Sequence, residues 1–305
     1  MRRGLPGSKP AGILLSVLAY VAAGTVAVAA ARSFPSAGPL LVVAVGCAAA
    51  TTTVFAASLI VGNSSMFDPY WSVAPAAIAG YYMWLEWPEP APRQLLVTAL
   101  VLLYAVRLTA NFYRDWPGLA KEDFRYVGFR HRFPRAYWVV SYLGIHLFPA
   151  SMVYVGCLPL YAVARSGALP LGPFDAAGAV VMLAAVVVAF AADGQLRRFR
   201  REPGHAGKCI DDGLWRFSRH PNYLGEIATW WGLYLFALAS GSAWWWTGIG
   251  AAAITVMFVF ISVPMMERRA LATREGYREY RARTPMLLPS LWPSRAGSRP
   301  GDSTL

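Results

Sequence analysis

Two runs of residues, Ala11–Ala31 and Leu40–Gly62, contain no charged side chain. Each is long enough as a helix to cross a hydrocarbon layer of about 30 Å. In lipid, backbone amides and carbonyls find no water, so a spanning segment must satisfy its own hydrogen bonds. Alternating ten-residue strands of the porin type are absent, which leaves helices. Composition agrees: 56% of the residues are hydrophobic and only 14% are charged, with a mean hydropathy of +0.41. A water-soluble domain needs more polar surface than that. The first run follows Arg2, Arg3 and Lys9, but it is too long for a signal-peptide core, and a second apolar run follows at once. It reads as a retained helix.

Eight spans are expected, at roughly 11–31, 39–61, 71–87, 94–113, 136–162, 174–194, 222–240 and 243–264. The third is short, is interrupted by Pro75, and reads as partly re-entrant. Basic residues gather on the cytoplasmic side of membrane proteins. With a cytoplasmic N-terminus, the inner segments hold 24 of the 28 Lys and Arg residues. The outer ones hold only Arg32, Arg93 and Arg165, while Arg107 lies within the fourth span. A different count of spans would scramble this partition, so both termini are expected to be cytoplasmic. The fold expected is an all-α polytopic transmembrane bundle. Residues 1–37 form an extra N-terminal helix, 38–292 the main membrane domain, and 293–305 a disordered tail.

The basic excess follows topology and contact with anionic lipid headgroups, so nucleic-acid binding is not indicated. Cys47, Cys157 and Cys209 have no metal-ligand or disulfide spacing, so no metal site is expected. Dinucleotide-fold, P-loop, metalloprotease and serine-hydrolase motifs are missing.

Ionisable groups at membrane depth are costly and usually functional. Five places carry them. NSSMFDPYWS (Asn63–Ser72) sets Asp68 among apolar residues, where desolvation raises a carboxyl pKa and makes it a proton donor; the other reading is a helix-capping aspartate in a solvated turn. Tyr104, Arg107 and Asn111 lie on one helical face and make a polar pocket wall, although Arg107 could simply snorkel. In the stretch from Ala191 to Gly204, Asp193, Arg197, Arg200 and Arg201 form a charged stripe suited to phosphate oxygens; a solvated helix end is the alternative.

The fourth place, DDGLWRFSRHPNYLGE (Asp211–Glu226), is the strongest signal. Pro221 suits the first turn of a helix, whose N-terminus attracts anions. Arg216, Arg219 and His220 add donors beside it. Asn222 and Glu226, one turn apart, offer the donor and acceptor that a carboxamide needs. The fifth, Met265–Pro285, places Glu267, Arg268, Arg269, Tyr277 and Tyr280 on an amphipathic interfacial helix, suited to membrane anchoring or to a nucleotide contact. KEDFRYVGFR (Lys121–Arg130) mixes signs and is less readable.

Taken in order, NSSMFDPYW, RYVGF (Arg125–Phe129), ADGQ (Ala192–Gln195), SRHPNYLGE (Ser218–Glu226), YREY (Tyr277–Tyr280) and TPMLLP (Thr284–Pro289) resemble the bacterial branch of the steroid 5α-reductase family. The resemblance spans about Asn63 to Trp292. SRHPNYLGE alone is shared with sterol reductases and, more loosely, with isoprenylcysteine methyltransferases. The resemblance implies a helical bundle with NADPH near the cytoplasmic face and a lipid-side entrance for an apolar substrate. The family's catalytic carboxylate falls on Asp68 and its tyrosine on Tyr104, followed by Arg107. Family steroid reductases carry Glu rather than Asp at that position, so this chain departs from them there. The nicotinamide-side pair falls on Asn222 and Glu226. Arg201, Arg219, His220 and Asp193 fall on phosphate and ribose contacts. The wider cofactor set expected here adds Arg107, Asn111, Arg197, Tyr223, Arg268 and Arg269. The expected activity is NADPH-dependent reduction of an enone in a steroid-like or other apolar lipid, in a bacterial cell membrane. The alternatives are an S-adenosylmethionine-dependent methyltransferase and a non-catalytic lipid-binding protein.

Overall fold

The structure, a computed structural model, describes residues 8–86, 88–167 and 169–289; the tail expected at 293–305 lies outside the described residues. No strand is formed among them beyond one isolated bridge between Lys208 and Glu275. The protein is an all-helical polytopic membrane protein. Its helices are α1 (Lys9–Arg32), α2 (Pro39–Val61), α3 (Tyr70–Leu85), α4 (Pro92–Asp115) and α5 (Phe124–Arg132). They are followed by α6 (Tyr137–Ala164), α7 (Pro173–Arg201), α8 (Pro221–Ala239), α9 (Ser242–Thr273) and α10 (Tyr277–Arg283). Prolines open α2, α4, α7 and α8, where the missing N–H costs nothing and the fixed φ suits the first turn.

Six of these helices are long and apolar enough to cross a membrane: α1, α2, α4, α6, α7 and α9. The other two expected spans are also helical but differ in quality. The 16 residues of α3 fall short of the usual crossing length. In α8, the polar first turns from Asn222 to Glu226 lower the hydropathy of an otherwise apolar helix. Leu14, Leu18 and Val21 on α1 are each more than half exposed, a liability in water but the required surface against lipid tails.

The helices divide into two compact units. The first comprises Met1–Asp175 and Tyr234–Gly250. Here α1 lies along α2, with Gly46 against Ala27. The Tyr20 hydroxyl of α1 donates to the Phe67 carbonyl (3.1 Å), and Ser16 bonds the Tyr113 hydroxyl (2.8 Å). The added first helix thus supports the turn that carries Asp68. That turn begins where Gly62, at φ +67°, ends α2 in the left-handed conformation. The Asn63 side chain accepts from the Ser65 amide (2.9 Å) and caps a 3₁₀ turn, Ser64–Phe67. In α6, a π-helical stretch, Ser141–Leu147, buries His146.

The second unit comprises Ala176–Leu233 and Ala251–Leu305. Small residues let α8 approach α7 closely, as membrane helices require in the absence of a hydrophobic drive between them. A Cβ on Gly225 would lie 2.7 Å from the Ala185 carbonyl, and one on Gly232 would lie 2.6 Å from Met182 Cγ. A small cluster of Ala192, Ile210 and Trp215, with Leu196, Phe199 and Leu214 around it, fastens the 3₁₀ turn Gly213–Arg216 to the end of α7. Trp215 donates to the Ala192 carbonyl (3.1 Å) and the Leu214 amide to Gln195 (2.9 Å).

Candidate functional site

In the first unit, Asp68 ends the 3₁₀ turn with 19% of its side chain exposed. Its Oδ1 accepts a hydrogen bond from the Tyr126 hydroxyl and lies 3.9 Å from the Arg125 guanidinium. Burial pushes its pKa from the ordinary 3.8 up to about 6, against the pull of Arg125. The phenol of Tyr126 is itself buried and held well above its usual pKa, by desolvation first and by the neighbouring Asp68 charge second.

The segment that the sequence left unread is what grips this turn. Asp123 caps α5 through the Arg125 amide (2.9 Å) and also holds the Arg125 Nε (2.7 Å). Its own amide donates to Ser65 (2.9 Å). Glu122 collects the Ser64 amide (2.8 Å), the Tyr137 hydroxyl (3.0 Å) and Arg130 (3.0 Å). Arg130 also lies over the Tyr137 ring at 3.7 Å. Asn63 donates to the Leu119 carbonyl (3.1 Å). Residues 63–68 and 119–126 are therefore latched by reciprocal bonds. A carboxylate with three donors, as at Glu122, makes such a latch stiff, because charge-assisted bonds are the stronger kind.

Tyr104 is buried on α4, and Arg107 lies 5.8 Å from its ring centre. Arg107 and Asn111 are half-buried on the same helix. Ser72 of α3 bonds Thr109 of α4 (2.7 Å), so the helix that follows the Asp68 turn is tied directly to the helix that carries Tyr104. The phenol of Tyr126 is bonded to Asp68.

The second unit brings together motifs far apart in sequence. The Asn222 amide donates to Asp193 (3.1 Å), joining the start of α8 to the last turns of α7. The Asn222 side chain also accepts from the Tyr223 amide (3.0 Å). Glu226 is buried one turn further on. The rings of Tyr223 and His220 stack at 5.4 Å, and Tyr223 meets Phe258 edge-on at 4.9 Å. Arg197 is half-buried and Arg201 exposed at the end of α7; Arg268 and Arg269 are exposed on α9.

Arg219 and His220 have a further engagement that the sequence did not announce. Arg219 Nε donates to Glu267 (2.7 Å), and its Nη1 reaches the carbonyls of Arg281 (3.2 Å) and Thr284. His220 Nε2 is 3.3 Å from the same Glu267 oxygen, and Arg281 takes the other at 3.2 Å. The Tyr280 hydroxyl donates to the Trp215 carbonyl (2.6 Å). The C-terminal segment is thus not simply laid on a membrane surface. Glu267, Tyr277 and Tyr280 are buried, and only the arginine-bearing side stays exposed. Among the described residues, no group of His, Cys, Asp or Glu is arranged to hold a metal ion.

Fold and site together define a polytopic helical membrane protein that presents a half-buried, protonatable carboxyl group on one turn and an amide–carboxylate pair at a helix start. The chain belongs to the family described as "Protein of unknown function (DUF1295)", whose profile matches residues 54–284. A Schizosaccharomyces pombe protein described as uncharacterized is 27% identical over 253 residues, covering 75% of this chain and 73% of that one. No solved structure matches.

Proposed function

We propose that this protein is an NADPH-dependent membrane reductase of a carbon–carbon double bond conjugated to a ketone in a steroid-like or other apolar lipid. The observation that carries the reading is Asp68. Its carboxyl group is half-buried and protonatable near neutral pH, and it sits on a turn latched by Glu122 and Asp123. Enone reduction needs such a donor. Negative charge grows on the ketone oxygen as the β-carbon is reduced, and preorganised hydrogen-bond donors stabilise it.

In this reading Tyr104 donates to that oxygen and protonated Asp68 supports the charge, while a bound apolar substrate excludes water and strengthens both interactions. A proton delivered to the α-carbon completes the reaction. NADPH, when bound, supplies the hydride. The residues present fit it chemically: Asn222 and Glu226 offer a donor and an acceptor to a carboxamide, and Arg197, Arg201, Arg268 and Arg269 offer forks for phosphate oxygens. Arg219, already committed to Glu267 and two carbonyls, supports this set by holding the segment that carries Arg268 and Arg269. The excess of basic residues in alternate loops supports a cytoplasmic position for these groups in this reading.

The test is direct. NADPH and S-adenosylmethionine are added separately to the purified chain in detergent, and thermal unfolding is followed. Stabilisation by NADPH alone, with NADPH oxidation on adding an enone steroid, is the result expected. Tyr104→Phe should abolish that oxidation while leaving the NADPH-induced shift in place. Stabilisation by S-adenosylmethionine alone would make the chain a methyltransferase, and no shift with either would leave a lipid-binding role.

A further inference from the structure

Asp68 has two carboxyl oxygens, and the protein treats them differently. Oδ1 receives the Tyr126 hydroxyl and faces the Arg125 guanidinium at 3.9 Å. Oδ2 takes no protein hydrogen bond among the described residues, while a fifth of the side chain stays open. A neutral carboxyl group has one carbonyl oxygen, which accepts, and one hydroxyl oxygen, which donates. The O–H donated to Oδ1, with the guanidinium charge 3.9 Å from the same atom, favours that oxygen as the acceptor. The proton then belongs on Oδ2.

We propose that Tyr126 is a positioning residue that places the Asp68 proton on Oδ2, where that proton is available for donation. The aim of Tyr126 is set upstream of it. Asp123 caps α5 and holds Arg125, and the Asp123 amide is fixed on Ser65 of the aspartate's own turn. Donor and acceptor thus share one latch, and the bond between residues 58 apart in sequence keeps its direction.

The charged and titratable groups around the carboxyl group are Arg125, Asp123, Tyr126 and Glu122 from the α5 segment and Tyr20 from α1. Arg125 favours the ionised form of Asp68, while Asp123 and Glu122 oppose it. The catalytic part of this inference rests on the reductase reading; the pairing itself does not.

Infrared difference titration of the full chain in detergent tests it, with the Asp68 carboxylic-acid band identified by its loss in Asp68→Asn. In Tyr126→Phe the carbonyl oxygen loses a donor, so the band should move to higher wavenumber. The titration midpoint should rise by about one pH unit, the value of one ordinary hydrogen bond to the charged form. Site-specific 3-fluorotyrosine at position 126 preserves shape and donates more strongly, so it should shift band and midpoint the opposite way even where Tyr126→Phe does not fold. An unmoved band and midpoint in these proteins would overturn the pairing. On the kinetic side, Tyr126→Phe should lower kcat roughly tenfold or more, leave KM for NADPH unchanged, and move the alkaline limb of the pH profile with the infrared midpoint. A wild-type chain that turns over no enone would overturn the reductase reading and the catalytic part of the proposal, while the infrared shifts would still decide the pairing.

Discussion

The side-chain amide of Asn222 donates to Oδ1 of Asp193 at 3.1 Å, so the helix that begins at Pro221 and the helix that ends at Arg201 are bound to each other by polar groups as well as by packing. The bond also orients the amide: with one N–H committed to Asp193 and the oxygen accepting from the Tyr223 backbone (3.0 Å), the second N–H is left to reach a ligand.

Under the NADPH reading, Asp193→Ala frees that amide to rotate and should weaken NADPH binding about tenfold, equivalent to roughly 1.4 kcal/mol. Asp193→Asn keeps an acceptor oxygen and should stay within about threefold of wild type, because the bond to Asn222 survives. Titration calorimetry in detergent measures both. Equal affinities for all three proteins would remove Asp193 and Asn222 from the binding site.

Asn222, Glu226 and Asp68 stand out in the sequence because a polar residue within an apolar stretch is conspicuous, and so do the spans themselves. Tyr126 does not. It lies in a nine-residue helix whose charged residues are all basic, and its partner is 58 positions away, a pairing that only the tertiary path of the chain creates. Glu122, three-fold bonded and central to the latch, was hidden for the same reason. Arg219 illustrates a different limit. Its side chain suits phosphate as well as carboxylate, and sequence cannot see that Glu267 and two carbonyls already occupy it. In α8 the residues that make the site legible also lower its hydropathy, so function and spanning character compete within one helix.

The stability of the protein should depend on Asp68 in a defined direction. Burial lifts its pKa from 3.8 to about 6 in the folded chain, so between those values the native state binds more protons than the unfolded one, and stability falls as pH rises. The contribution is complete below about 4 and lost by the time pH has passed through about 6. It amounts to on the order of 2 kcal/mol, reduced from the full linkage value because part of the side chain is exposed. Asp68→Asn cannot ionise and should lack this slope, so its Tm should gain on that of wild type between pH 4 and 7. Parallel curves would show that Asp68 titrates as an ordinary exposed carboxylate.

Close helix packing makes a second stability prediction. A Cβ on Gly225 would meet the Ala185 carbonyl at 2.7 Å and Ala189 Cβ at 2.9 Å. Both contacts belong to the facing helix, and a backbone carbonyl cannot rotate away. Gly225→Ala should cost about 1–3 kcal/mol through overpacking, and Gly225→Leu more. Gly24 has nothing within 4 Å of its would-be Cβ, so Gly24→Ala should leave Tm unchanged or slightly raised, since alanine is the better helix former. Tolerance of leucine at position 225 would mean that α7 and α8 separate freely.

Arg93 and Asp175 are 1% and 2% exposed, and each lies in the first turn of a different long helix. Arg93 Nε and Nη2 reach the two carboxylate oxygens at 2.7 and 2.9 Å, and Nη2 also donates to the Pro170 carbonyl (3.0 Å). The Gly172 amide completes the site on Asp175 at 2.8 Å. A buried ion pair adds little net stability over a well-packed apolar pair, because desolvating both charges offsets their attraction. Losing one partner is different, since the other is left charged and dry. Asp175→Leu alone should therefore destabilise the chain by about 3–5 kcal/mol, as should Arg93→Leu. The double variant should recover most of that loss. Denaturant unfolding in a fixed detergent gives the four corners of the cycle. Additive losses in the double variant would mean that the two side chains stabilise the fold independently, through the Pro170 and Gly172 backbone contacts rather than through each other.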